Sequence, residues 1–391
     1  MKVNKLTAGI CAVLLSQSVF ADEARIETLE KQVEQLSQMV ASSSSGSTLA
    51  VNGFASTGIS KADNESGYAG VTDSVEFENE SLFGVQGVFR PTSNVEAMLQ
   101  LVAKGTDDDG DMNRDRWEPE VTWAYLGYQF EDGLKIRGGK LRLPLFMLSD
   151  YLDVTYAMPW ARGPEEVYGR VIIDSFTGAD AGYELEFEDS SLYLQGFYGN
   201  EKDVAVNGTS LDKLMGLSAS WTDDILTLRA SYTSAEINTP AYSFEHPVAG
   251  PITVAATSDT ASFYSLGARY EDHGVQLLTE FTNTEIEGVY GDSMSGYVST
   301  GYHFGSVTPY VMYSFVKTTD DNDHQVISQA NTPRDRDAYS VGARWDIQPG
   351  LALKGDVTYA ENNLSAEKRN SNELNGLDDT LVYTVKLDAT F

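Results

Sequence analysis

Charged residues in this chain recur at every second position, as in Glu76, Glu78 and Glu80, in Glu184 and Glu186, and in Lys135 and Arg137. Side chains two apart leave an extended backbone on the same side, so each set lines up like charges along one face of a strand. Rows of charge act on a solute through their field and need not form a bond to it. Nucleophilic or metal chemistry has less to stand on. His246, His273, His303 and His324 lie in separate segments, with neither a recognisable serine motif nor a metal-ligand pair beside any of them. Paired carboxylates do not imply glycoside hydrolysis without a known separation. Asp107, Asp109, Asp111 and Glu118 occupy positions one, three, five and twelve of a calcium loop, but Met112 stands where that loop needs glycine. This stretch reads as a solvated acidic loop. No catalytic residue, cofactor or metal is expected.

The elements that hold these charges begin after an address. Lys2 and Lys5, the apolar Leu6 to Leu15 and the small residues of Val19-Phe20-Ala21 form a secretory signal over residues 1–21, cleaved before Asp22. Cys11, the only cysteine, leaves with it, so disulfides and thiolate chemistry are excluded. The formal charge of −31 becomes −33 once Lys2 and Lys5 are removed, which makes nucleic acid an improbable partner. Ile26, Leu29, Val33, Leu36 and Val40 fall at a and d of a heptad, predicting a coiled-coil helix over 22–40. Two heptads are too few to hold alone, so this helix is expected to assemble with copies of itself; the alternative is a lone amphipathic or disordered tail. A Ser/Gly linker follows over 41–48.

From residue 49 to 391 the chain alternates apolar and polar residues. Its last strand places Leu381, Tyr383, Val385, Leu387, Ala389 and Phe391 on one face and Thr384, Lys386, Asp388 and Thr390 on the other. Sixteen such strands are predicted near 50–60, 75–90, 94–104, 118–130, 134–141, 177–188, 190–199, 213–222, 225–235, 261–271, 274–285, 293–304, 306–317, 337–347, 350–360 and 379–391. Their connections take turns, short then long. The short ones carry turn residues, as in Asp272-His273-Gly274 and Gln348-Pro349-Gly350; the long ones carry acids, as in Asp107-Asp108-Asp109 and Asp320-Asp321-Asn322-Asp323. A soluble sandwich has no reason to sort its connections, whereas a barrel in an outer membrane does. The fold class is therefore all-β: a sixteen-stranded antiparallel transmembrane barrel over 49–391, with both ends on the periplasmic side beside the helix.

The longest connection, 142–176, is rich in large apolar residues, among them Leu143, Leu145, Phe146, Met147, Leu148 and Trp160. Such a segment is ill suited to water, and folding into the barrel would bury it and narrow the bore. With sixteen strands, terminal Phe391 and this third long connection, the chain resembles a Gram-negative trimeric porin. The heptad segment and Gly139-Lys140-Leu141-Arg142-Leu143-Pro144 are similar to features of DcaP-like and phosphate-selective porins. The resemblance implies a trimer of water-filled pores in the outer membrane, each constricted by its third loop, with lipopolysaccharide and other outer-membrane lipid as neighbours.

On the inward phase, Glu76, Glu78 and Glu80 of the second strand, Glu96 of the third, and Glu184 and Glu186 of the sixth make an acidic wall. Arg229, Arg269, Arg344, Lys354 and Lys386 make a basic arc on later strands, while Lys135 and Arg137 interrupt the sorting. Opposed walls would impose a transverse field on passing solutes. The arc, with Arg162 or Arg170 of the loop, is expected to face Asp150, Asp153, Glu165 and Glu166 across the constriction. The competing reading is of ordinary hydrated lumen charges, some of them paired. Passive diffusion of ions and small hydrophilic solutes is the function this implies. The alternatives are a channel selective for small organic anions such as dicarboxylates, or a structural tether or adhesin whose helix contacts the cell wall.

Overall fold

Strand positions follow from the alternation, because a face of apolar residues and a face of polar ones can both be satisfied only at a boundary between lipid and water. The computed structural model describes residues 48–106, 116–169, 171, 173–202, 204, 208–246, 250–288, 291–319, 335–362 and 378–391. The signal, the heptad helix, the linker up to residue 47, the acidic runs at 107–111 and 320–323, Arg170 and His324 lie outside them.

The strands are β1 (Thr48–Ala62), β2 (Leu82–Arg90), β3 (Val95–Lys104), β4 (Glu120–Gln129), β5 (Leu134–Arg142), β6 (Ser175–Glu186), β7 (Ser190–Glu201), β8 (Ser210–Asp223) and β9 (Leu226–Thr239), then β10 (Tyr242–His246), β11 (Gly250–Val254), β12 (Thr257–Asp272), β13 (Val275–Ile286), β14 (Ser293–Tyr302), β15 (Val307–Thr318), β16 (Arg336–Gln348), β17 (Leu351–Asn362) and β18 (Thr380–Thr390). Sixteen of these close an antiparallel barrel in which each strand pairs with its sequence neighbours; β10 and β11 form a separate hairpin, so β9 pairs directly with β12. Closure joins β1 to β18 from Phe54↔Thr390 to Ala62↔Val382. The chain end completes it: the Phe391 amide donates to the Gly53 carbonyl at 2.9 Å and the Gly53 amide to the Phe391 carbonyl at 2.7 Å. Among the described residues the barrel sheet itself leaves no open edge.

The barrel is inverted relative to a soluble protein. Leu126, Leu217 and Leu266 are 66%, 67% and 63% exposed, whereas Ser231, Ser265, Ser314 and Thr358 are buried. In water that distribution would be unstable; in hydrocarbon the outward leucines are where the solvent prefers them.

The short connections are tight. Asp272 pairs with Val275 across a two-residue loop in which His273 (φ 48°) and Gly274 (φ 81°) both take left-handed backbone, as the reversal between twisted strands requires. His273 is thereby a turn residue.

Two strand expectations need correction. The second strand starts at Leu82, so Glu76, Glu78 and Glu80 belong to the first long connection, 63–81. Only Glu76 bridges to β1, exchanging both backbone hydrogen bonds with Ser60 at 2.8 Å; the chain then bends and turns through 77–80, where the Ser81 amide donates to the Glu78 carbonyl at 3.0 Å. The hairpin β10–β11 is a second difference, lying in what was read as a plain connection.

Candidate functional site

The segment between β5 and β6, residues 143–174, is built from short pieces: two 3-10 turns (Ser149–Tyr151 and Thr155–Ala157) and a single helical turn, α1 (Glu165–Tyr168). Pro144, Pro159 and Pro164 deny it a longer helix. Its Leu143, Leu145, Phe146, Leu148, Met158, Trp160 and Val167 are buried in one cluster with Phe176, Phe197, Leu214, Phe263, Leu278, Tyr297 and Met312, which come from β6, β7, β8, β12, β13, β14 and β15. Phe146 stands edge-on to Phe263 with centroids 5.3 Å apart, and Trp160 edge-on to Tyr297 at 5.4 Å.

Buried irregular backbone needs partners for its amides and carbonyls, and here side chains of the strands supply them. Arg344 of β16 donates to the carbonyls of Tyr156 at 2.6 Å and Met158 at 3.0 Å, its guanidinium 4.7 Å from the Tyr156 ring. Lys354 of β17 donates to the Thr155 carbonyl at 2.6 Å, and Arg229 of β9 to that of Pro144 at 3.3 Å. The hydroxyls of Ser231 and Ser265 both reach the Leu145 carbonyl, at 2.7 and 2.6 Å. In the other direction, the amide of Met147 donates to Glu280 of β13 at 2.8 Å, that of Ala161 to the Tyr310 hydroxyl of β15 at 3.0 Å, and that of Arg162 to Asp356 of β17 at 3.1 Å. The Trp160 indole donates to Ser299 of β14 at 2.7 Å.

Ion pairs fix the same segment at three further places. Asp153 meets Arg142, with Lys104 at 3.5 Å; Arg142 also meets Asp174. Burial alone would raise the Asp153 carboxyl, but the attraction of Arg142 and Lys104 outweighs it and holds the group below its ordinary range. Arg162 meets Glu80, which Lys386 approaches at 3.4 Å. Glu166, fully buried, accepts from Arg336 at 2.6 Å, Ser314 at 2.7 Å and Tyr68 at 3.1 Å. Burial first, then the Glu166 charge, push the Tyr68 phenol far above its ordinary value, so it remains a donor.

These contacts redistribute the expected charges. Arg229, Arg344 and Lys354 meet the loop's backbone, not its acids. Asp153 and Glu166 are answered by Arg142, Lys104 and Arg336 instead of by the basic arc. Lys386 and Arg162 do come together, on Glu80. The opposed walls are not what the partners describe: Glu96 takes Arg90 at 2.5 Å and Lys135 at 3.2 Å, Arg137 takes Asp180 at 2.5 Å, Arg269 takes Glu271 at 2.6 Å, and Glu78 takes Arg116. Asp150, Glu184 and Glu186 are exposed, and Glu165 is half-buried. Glu76 accepts from the Ser74 hydroxyl at 2.8 Å. A cavity of about 690 Å³ opens between the first connection and the 143–174 segment, bounded by Glu76, Glu78, Glu80, Lys104, Arg116, Asp153, Arg162, Glu165 and Lys386 among others.

Sequence reasoning missed Lys104, Arg142, Asp180, Glu280, Arg336, Asp356 and Asp388. Parity was a usable signal for five of them: Lys104 shares its face with Glu96, Asp180 with Glu184 and Glu186, Arg336 with Arg344, Asp356 with Lys354, and Asp388 with Lys386.

A family profile described as Gram-negative porin matches residues 12–377. The chain belongs to the Gram-negative porin family. Solved structures agree on the fold. A loop-deletion mutant of OmpT, an outer membrane protein of Vibrio cholerae, aligns at 12% identity with a TM-score of 0.60, covering 88% of this chain and 100% of that one. Salmonella typhi OmpF, in complex with daunomycin, aligns at 14% identity and 0.59, covering 88% and 98%. A mutant of Rh. blastica porin aligns at 16% and 0.51, covering 88% and 100%. A search of curated proteins returns no match. This porin is thus an outer-membrane β-barrel whose family marks it as a channel.

Proposed function

We propose that this porin conducts ions and small hydrophilic solutes by passive diffusion through a water-filled bore that the 143–174 segment narrows. The observation that supports the reading is the set of hydrogen bonds that side chains of β9, β12, β13, β15, β16 and β17 make to the backbone of that segment, with the Trp160 indole on Ser299 of β14, as expected of a loop reaching into the bore. The solute path then runs past the cavity where Arg162, Lys386 and Glu80 face Lys104 and Asp153. A trimer form is recorded for OmpT of Vibrio cholerae at 13% identity, which together with the heptads at 22–40 supports a homotrimer here. The segment 1–21 serves as a cleaved export signal, and the helix lies on the periplasmic side.

Planar-bilayer reconstitution tests this. Discrete ohmic steps are expected, and replacing 146–168 by a Gly/Ser linker should enlarge each step. Steps unchanged by that replacement would remove the loop from the narrowing. Absence of any conductance would leave the structural-tether reading.

A further inference from the structure

Resting on the channel reading, we propose that the bore of this porin favours cations over anions, and that Glu76, Asp150, Glu184 and Glu186 set the preference. The decisive matter is which inward charges remain to face a solute. Around the narrowing, Arg162 and Lys386 share Glu80, Lys104 and Arg142 share Asp153, Arg336 holds Glu166, and Lys354 holds Asp388 at 2.8 Å with neither side chain exposed. Elsewhere on the wall Arg90 and Lys135 share Glu96, and Arg137, Lys140, Arg269 and Arg344 each hold one carboxylate. Arg229 gives its donors to the Pro144 carbonyl and the Ser220 hydroxyl. Among the described residues, therefore, Arg229, half-buried, is the one inward base without a carboxylate partner, and none stands exposed without one.

The carboxylates differ. Asp150, Glu184 and Glu186 are exposed and Glu76 is half-buried, with no base within 4.0 Å of any of them among the described residues. Glu184 and Glu186 share the face of Asp180, whose carboxylate meets the inward Arg137 and Gln195. Asp150 follows the buried Ser149 in a turn whose neighbours pack on the wall, so its exposed side is the one turned from the wall. A paired charge is a dipole whose field dies quickly, whereas an unpaired carboxylate in a low-dielectric tube raises the local cation concentration. At 0.1 M salt the screening length is about 10 Å and at 1 M about 3 Å, so the preference should fade as salt rises. Among the described residues of this wall a dicarboxylate solute would find only the half-buried Arg229 without a carboxylate partner, which weighs against the organic-anion alternative.

The test is the reversal potential of the full-length protein across a tenfold KCl gradient. Potassium should permeate several-fold better than chloride at about 0.1 M and nearly equally above 1 M. The triple variant D150N/E184Q/E186Q should lose roughly half of the low-salt preference; the pair E184Q/E186Q serves if the triple folds poorly, since both positions are exposed. R229Q/R344Q, which disturbs loop anchors, should alter conductance but keep potassium favoured. Chloride preference in the unmodified protein, or a ratio untouched by the carboxylate variants, overturns the inference while leaving a channel. Absence of conductance in every preparation would instead sink the channel reading, and the inference with it.

Discussion

Lys354 and Asp388 show what an individual contact can contribute inside the barrel. Neither side chain exposes surface, and the pair is embedded in further bonds: Asp388 accepts from Ser56 at 2.6 Å and Thr155 at 2.7 Å, while Lys354 also holds the Thr155 carbonyl. Removing one partner of such a pair strands a buried charge, at a cost of about 3–5 kcal/mol, whereas replacing both with apolar groups of like volume is often neutral. Asp388→Asn should therefore destabilise strongly in urea unfolding from lipid vesicles, and Lys354→Met combined with Asp388→Leu should recover most of the loss. A double variant as unstable as the single would mean that the two groups are not coupled. Asp153 offers a pH-dependent counterpart. Its carboxyl lies below the unfolded value of about 3.9, so its anchoring is complete above that pH and is lost as pH falls through the lower folded value. Single-channel current should become noisier in acid for the unmodified protein. Asp153→Asn should be noisy already at pH 7, with the acid increment diminished.

At the scale of elements, alternation made the strands legible while the destinations of loop side chains were not. Lipid on one side and water on the other impose a period of two on every strand, and turn residues mark where each reverses, so β12 and β13 could be placed from Tyr264, Leu266, Asp272 and Gly274 alone. The same rule misled at residues 75–81, where the sequence alternates just as well but the chain bridges to Ser60 at Glu76 and then bends and turns through 77–80. Nothing in the alternation itself distinguishes the two, because a period of two marks the faces of a strand only where a ladder partner keeps the chain extended. The anchors were hidden for a related reason: Arg336 meets Glu166 and Trp160 meets Ser299 across more than a hundred residues of sequence, a distance over which no spacing rule operates. The entry to the 143–174 segment does have a local requirement. Gly139 sits at φ 139°, and a Cβ there would fall 2.2 Å from the Ala124 carbonyl oxygen. Gly139→Ala should cost about 1–3 kcal/mol through strain at that position, read as a lower folded fraction in detergent. A fully folded, equally stable variant would show that β4 yields there without penalty.

For the molecule as a whole, inversion of polarity is the property from which the rest follows. Apolar residues such as Leu266 and Val341 are turned outward and polar ones such as Ser265 and Thr358 inward, while Arg229, Arg344, Lys354 and Lys386 sit on the inward phase of their strands. The outward and inward faces of neighbouring strands should then respond differently to the same substitution. Arginine at Leu266, 63% exposed midway along the barrel part of β12, would place a guanidinium in hydrocarbon at a cost of about 2–4 kcal/mol. Arginine at Thr227, half-buried on the phase of Arg229, would join a hydrated wall and should change stability by only about 0.5 kcal/mol. Urea unfolding from vesicles separates the two outcomes. Equal costs at both positions would mean that the outward face is not in contact with lipid, and with that the assignment of bore and membrane surface would exchange or fail together.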